Sequence, residues 1–195
     1  MAKVLIEPTM FSETDRADLY RRYHDTCTMH PDRRVEVIDG RIVVREVPTG
    51  EHNDVISRLI LQIASVVAGH GWGLWTNIKL FLGPQIDRYV PDLTVVPKNR
   101  RMWGDDEVYG DSTLLVVEVV SKSSVRDDHI VKPRNCALAG VPLYLVIDSF
   151  KGVARLMSDP GEKNYQHLVE VTLGKPLPLP EPWDVTLDTA ALVEA

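Results

Sequence analysis

Two stretches, residues 114–120 (LLVVEVV) and 141–147 (VPLYLVI), are apolar at nearly every position and do not alternate. Successive side chains of a strand point to opposite faces, so a strand that is apolar throughout needs cover on both. At seven residues each, the runs are far short of the ~20 that span a bilayer. They read as central strands of a sheet with a layer on either side, which is a mixed α/β or α+β architecture. With 195 residues the chain can bury such a core without a metal or disulfide staple. It reads as one domain over 1–195, with a core at about 30–150 and a β extension at about 151–195.

The flanking segments supply the layers. Ser12 and Asp15 make a capping-box pattern ahead of Leu19, Tyr20 and Tyr23, predicting a short helix that ends before His30-Pro31. Residues 34–38 and 41–46 flank Asp39-Gly40, a strong signal for a tight hairpin. After Gly50, the spacing of Val55, Ile56, Leu59, Ile60, Ile63, Val66 and Val67 predicts the clearest helix, stopped by Gly69 and Gly71. Strands are expected at 74–76, 78–82 and 89–96. Residues 124–139 look helical up to Gly140, but Pro133 disfavours helical backbone at Lys132. The regular helix should therefore begin near Ile130 or kink at Lys132. Residues 153–157 and 165–171 read as a hairpin or meander, with turns at 159–161 and 174–175, and 187–193 as a short closing turn of helix.

Lys plus Arg number 22 and Asp plus Glu 28, for a net charge of −6. Proteins that hold nucleic acid mainly by electrostatics are basic, so any such role here rests on a local patch or a bound metal. Cys27 and Cys136 lack CxxC spacing and read as free thiols of a reducing compartment. The start, MAKVLIEPTM, meets Glu7 and Pro8 before a leader core could form, so a cytoplasmic protein is expected. No Walker loop, GxGxxG, HExxH, Gly-x-Ser-x-Gly elbow or zinc-type cluster occurs, and no nucleotide cofactor is expected.

Two acids break the apolar pattern: Glu118 inside 114–120 and Asp92 inside 89–96 (YVPDLTVV). A buried carboxylate needs a basic partner such as Arg88 or Arg134, a raised pKa, or a cation. Alternation puts Glu118 on the face of Val116 and Val120, and Asp92 on that of Val90 and Thr94. On neighbouring strands the two acids could converge, and Mg²⁺ suits that geometry because one or two carboxylates usually hold it. Lys122 lies four residues after Glu118; Lys132, on the following helix, forms an i, i+4 pair with Asp128.

The ordered set 35–40 (VEVIDG), Glu51-His52, 90–93 (VPDL), 116–119 (VVEV), Lys132 and 139–148 (AGVPLYLVID) resembles the Uma-two family of restriction-endonuclease-like proteins, within the PD-(D/E)XK nuclease superfamily. The resemblance covers about residues 12–190. It implies a restriction-endonuclease-like curved central mixed sheet flanked by helices, with an N-terminal helix and hairpin and a C-terminal β-meander. It also implies a divalent metal held by Asp92, Glu118 and the backbone carbonyl of Val119. Val120 stands where Glu-x-Lys would place lysine, and the resemblance supplies the lysine from the next helix, at Lys132; Lys122 is the other candidate. Glu51 matches an acidic position that could face the ion's hydration shell, or is simply a first-turn residue favoured by the helix dipole. His52 reads as surface or cap.

The expected function is a Mg²⁺-dependent (or Mn²⁺-dependent) endonuclease hydrolysing phosphodiester bonds in DNA, with Lys132 positioning or deprotonating the attacking water. Lys98, Arg100 and Arg101, beside Trp103, could hold a phosphate backbone with Lys122, or form a solvated loop. Trp72 and Trp75 read as core or interface. A homodimer would bring two sites to a duplex. Two alternatives stay open: a non-catalytic nucleic-acid-binding or interaction protein that keeps the fold, and a metal-dependent hydrolase of another phosphoester.

Overall fold

In the computed structural model of the chain, residues 12–83 and 86–193 are described. The segment 1–10, read above for a leader, lies outside the described residues. Helix α1 (Glu13–Met29) opens on its capping box: Ser12 Oγ accepts from Asp15 N at 3.1 Å, and the Asp15 carboxylate accepts from Ser12 N at 3.2 Å. Strands β1 (Arg34–Ile38) and β2 (Arg41–Arg45) pair around Asp39 and Gly40, whose φ of 49° and 70° suit a two-residue hairpin turn. Helix α2 (Gly50–Gly69) buries Val55, Ile56, Leu59, Ile63 and Val67, its one apolar stripe.

Strands β3 (Gly73–Trp75) and β4 (Lys79–Leu82) follow. The single strand expected over 89–96 is two, β5 (Asp87–Tyr89) and β6 (Leu93–Val96), which belong to different sheets. The chain changes sheets at Val90-Pro91-Asp92, where Pro91 has no N–H for a ladder. Then come β7 (Glu107–Tyr109), β8 (Leu115–Val119), α3 (Lys132–Leu138), β9 (Leu143–Asp148), β10 (Val153–Pro160) and β11 (Tyr165–Thr172). At the end, β12 (Pro176–Pro178) pairs with β13 (Thr186–Asp188); the expected closing helix is this strand followed by turns.

One sheet has the order β11-β10-β9-β8-β6-β3, with β8 and β9 parallel and joined by α3. A second has the order β2-β1-β5-β4-β7. Leu115, Val117 and Val119 face α2 and the C-terminal strands, in a core with Trp183 and Leu187. Val116 and Val120 face the other way, toward Val131 and Cys136 and toward Ile38, Leu80 and Tyr89 of the second sheet. The non-alternating run is thus covered on both sides, as its composition requires. Among the described residues no helix is long and apolar enough to cross a membrane.

The approach to α3 is irregular. Asp127–Val131 forms a π-helical turn in which Lys132 N–H donates to Asp127 O. Pro133 supplies no N–H and its ring crowds the carbonyl four residues back, and a widened turn accommodates both. Lys132 keeps helical backbone (φ −61°, ψ −47°), so the helix widens just before it, and helical structure begins ahead of the expected start near Ile130.

Candidate active site

The β6–β8 register pairs Leu93 with Val117 and Thr94 with Val116, so the next pair along is Asp92 and Glu118. Both are buried, and both line one cleft of about 490 Å³. Val120 N donates to Ile147 O at 2.9 Å, which fixes the even residues of β8 as those bonded to β9. Val119 therefore turns its N–H and carbonyl toward β6, where register sets Pro91 opposite. Pro91 has no N–H to give, so the ladder offers the Val119 carbonyl no donor, and Asp92 Oδ2 takes the Val119 N–H instead, at 2.8 Å.

The π turn aims Lys132 inward. It is 3% exposed, and its Nζ lies 2.8 Å from Glu118 Oε1, 2.9 Å from Glu36 Oε1 and 3.5 Å from Asp128 Oδ1. Tyr89 lies beneath it, with the ring centroid 5.5 Å from Nζ. Glu36 also accepts from Val90 N at 2.9 Å and from Arg45 Nε at 3.0 Å, and Arg45 reaches Asp127 at 2.7 Å. Ser124 Oγ donates to Asp128. Asp92 Oδ1 is shared by the Arg34 guanidinium and by His52 Nε2, the latter at 2.9 Å but with its N–H not aligned on the oxygen.

Burial would raise Glu36, but Lys132, Arg45 and the Val90 N–H hold it below the usual carboxylate range. Burial also opposes ionisation of Asp92; His52 and Arg34 outweigh it and keep its pKa low. Glu118 differs. Burial pushes it well up against the pull of Lys132, and the charges of Asp128, Asp92 and Glu36 push the same way. Asp128 is raised by burial beyond what Lys132 and Ser124 offset. Burial disfavours the Lys132 ammonium, yet Glu118, Glu36 and Asp128 hold it protonated well above the usual lysine range.

Neither Arg88 nor Arg134 serves the two buried acids: Arg88 pairs with Glu107 and Arg134 with Asp39. Glu51 is exposed in the first turn of α2 and lines the cleft. Lys122 is exposed at its mouth. Lys98, Arg100 and Arg101 lie beyond the far end of β6 from Asp92, outside the cleft lining. Arg100 stacks over Trp75 at 4.6 Å and Arg101 pairs with Asp111 at 2.5 Å. Arg34, Glu36, Arg45 and His52 are residues that the sequence did not place at the site, and Asp128 entered only as the i, i+4 partner of Lys132. The other signal present was the lone acid in Val35-Glu36-Val37-Ile38.

The donor chemistry fits a hard divalent cation: carboxylate oxygens, a backbone carbonyl without a ladder partner, and Asp128 Oδ1 without a hydrogen-bond partner. Among the described residues no cluster of three or more His, Cys, Asp or Glu forms a ready cage, which Mg²⁺ does not need. Arg34 and His52 already occupy Asp92 Oδ1, so an ion there competes with them.

A family model described as “Uma2: Putative restriction endonuclease” matches residues 19–190. Among solved structures, a “putative nuclease belonging to DUF820” from Anabaena variabilis ATCC 29413 is similar at 19% identity and a TM-score of 0.63, covering 82% of this chain and 89% of that one. At that identity the likeness is one of fold. No curated protein matches.

Proposed function

The chain belongs to the Uma2 family, and on that premise we propose that it is a divalent-metal-dependent endonuclease that hydrolyses phosphodiester bonds in DNA. The observation that carries this reading is that Asp92, Glu118 and Val119 line one cleft, with the Val119 N–H donating to Asp92 Oδ2 at 2.8 Å and Lys132 Nζ 2.8 Å from Glu118 Oε1. Asp92, Glu118 and the Val119 carbonyl would hold Mg²⁺ or Mn²⁺. When bound, such an ion polarises a phosphoryl oxygen and eases deprotonation of water. Lys132, ringed by three carboxylates, acts as a fixed ammonium that offsets charge at the phosphate. Glu36 and Asp128 hold it in place.

Supercoiled plasmid, single-stranded DNA and RNA incubated with Mg²⁺ or Mn²⁺, with and without EDTA, test the proposal. Cleavage that needs the metal and is abolished by Asp92→Asn and by Glu118→Gln supports it. Full cleavage by Glu118→Gln overturns the assignment of the site.

The contacts of Arg34 and His52 with Asp92 favour one second reading, a non-catalytic protein whose internal cations replace the metal. Calorimetric Mn²⁺ titration separates the two. Heat in the wild type that is lost in Asp92→Asn supports the enzyme, and no heat in either supports the binding protein.

A further inference from the structure

The lining of the cleft that holds Arg34 and His52 also includes the turn after β8 and the tip of the β9–β10 hairpin. That tip, residues 149–152, carries Phe150 with 62% of its surface exposed. An exposed ring at a hairpin tip contributes little to the core, yet the backbone that carries this one is anchored. Phe150 N and Lys151 N both donate to Asp148 Oδ1, at 3.0 and 2.9 Å. The buried Asp148 is fixed in turn by His129 Nε2 at 2.7 Å. His129 lies on the π turn that also carries Asp128 and leads into Lys132, so the backbone of the hairpin tip is tied to the element that positions the lysine. Lys122 Nζ stands 5.9 Å from the ring centroid. Among the described residues of the cleft lining, Lys122 is the cation with no carboxylate partner.

We propose that Phe150 and Lys122 form a nucleotide platform at the mouth of the cleft, the ring stacking a base and the ammonium meeting its phosphate, and that the substrate presents an unpaired base there. This rests on the nuclease reading of the same cleft and adds the substrate class. Each base has a π face that an aromatic side chain can cover. Inside a duplex both faces are already stacked on neighbours, so the platform suits a single strand, a frayed end, a loop or a mismatch. The small number of unpaired cations at the cleft fits a site that grips by stacking more than by charge.

The test is binding in EDTA, where a metal-dependent enzyme leaves the probe intact. A 2-aminopurine-labelled single strand and its blunt duplex are titrated with wild type, Phe150→Ala, Phe150→Trp and Lys122→Gln. The expected results are a clear preference of the wild type for the single strand and quenching of 2-aminopurine on binding. Phe150→Ala should lose about tenfold in single-strand affinity, the scale of one lost base stack, together with the quenching, while Phe150→Trp retains both. Lys122→Gln should weaken binding while keeping the quenching. Unchanged single-strand affinity in Phe150→Ala, in a protein that cleaves nucleic acid, overturns this inference and leaves the nuclease reading standing. A wild type that neither binds nor cleaves any nucleic acid overturns both.

Discussion

Glu36 and Glu118 meet the same ammonium, yet their environments drive them in opposite directions. Glu36 has two cations and a backbone N–H and is held low, so the stability it contributes is present above the ordinary carboxylate value of 4.5 and is lost as pH falls through its folded value. Glu118 is raised: the folded protein holds its proton longer than the unfolded chain, so its contribution declines as pH climbs from 4.5 toward the raised value. Thermal denaturation in EDTA should therefore show Glu118→Gln at least as stable as wild type at neutral pH, with a flatter decline on the alkaline side. Glu36→Gln breaks a buried network and should cost about 3–5 kcal/mol. At Asp92, Arg34→Ala removes a competitor for Oδ1. Mn²⁺ titration should then show binding several-fold tighter than in wild type, and weaker binding would mean that Arg34 aligns the carboxylate instead.

Pro91 and, at the start of α3, Pro133 shape the elements around the site. Pro91 ends the β6–β8 ladder opposite Val119, and Pro91→Ala restores an N–H that can close on the Val119 carbonyl. We expect an unfolding free energy, read by chemical denaturation, at or above wild type by about 1 kcal/mol or less for one hydrogen bond, with weakened Mn²⁺ binding. Much of the element layer was legible locally. The Ser12 capping box, the Asp39-Gly40 hairpin and the apolar stripe of α2 are each decided within a few neighbouring residues. The split of 89–96 between two sheets was less legible, because Tyr89 and Leu93 differ in which sheet claims them, not in local preference. The closing segment misled for a similar reason: Leu187 and Leu192 are apolar at a spacing that suits a turn of helix, but pairing with β12 makes Leu187 part of a strand.

For the whole molecule, the central sheet carries the stability and the cleft at the ends of its interior strands β6 and β8 gathers buried charge. Leu59, fully buried where α2 meets the sheet, should cost about 2–5 kcal/mol as Leu59→Ala, read by chemical denaturation, without altering the wild-type order of substrate preference. The net charge of −6 and the paired state of Arg34, Arg45 and Lys132 point to shallow salt dependence. The log–log slope of single-strand affinity against salt should be about −1, the contribution of one or two phosphate contacts.

The sequence by itself determined that 114–120 and 141–147 lie inside a covered sheet, and which face of its strand Glu118 occupies, because strand periodicity is a property of the backbone alone; Asp92 sits where the chain changes sheets, outside both strands. Tertiary structure alone decided who meets them. Arg34 reaches Asp92 from 58 positions away, and Glu36 and Glu118, from strands of different sheets, join Asp128, the i, i+4 neighbour of Lys132, at its ammonium. Those encounters depend on how the second sheet and the widened helix pack against the first, and no local pattern encodes that packing.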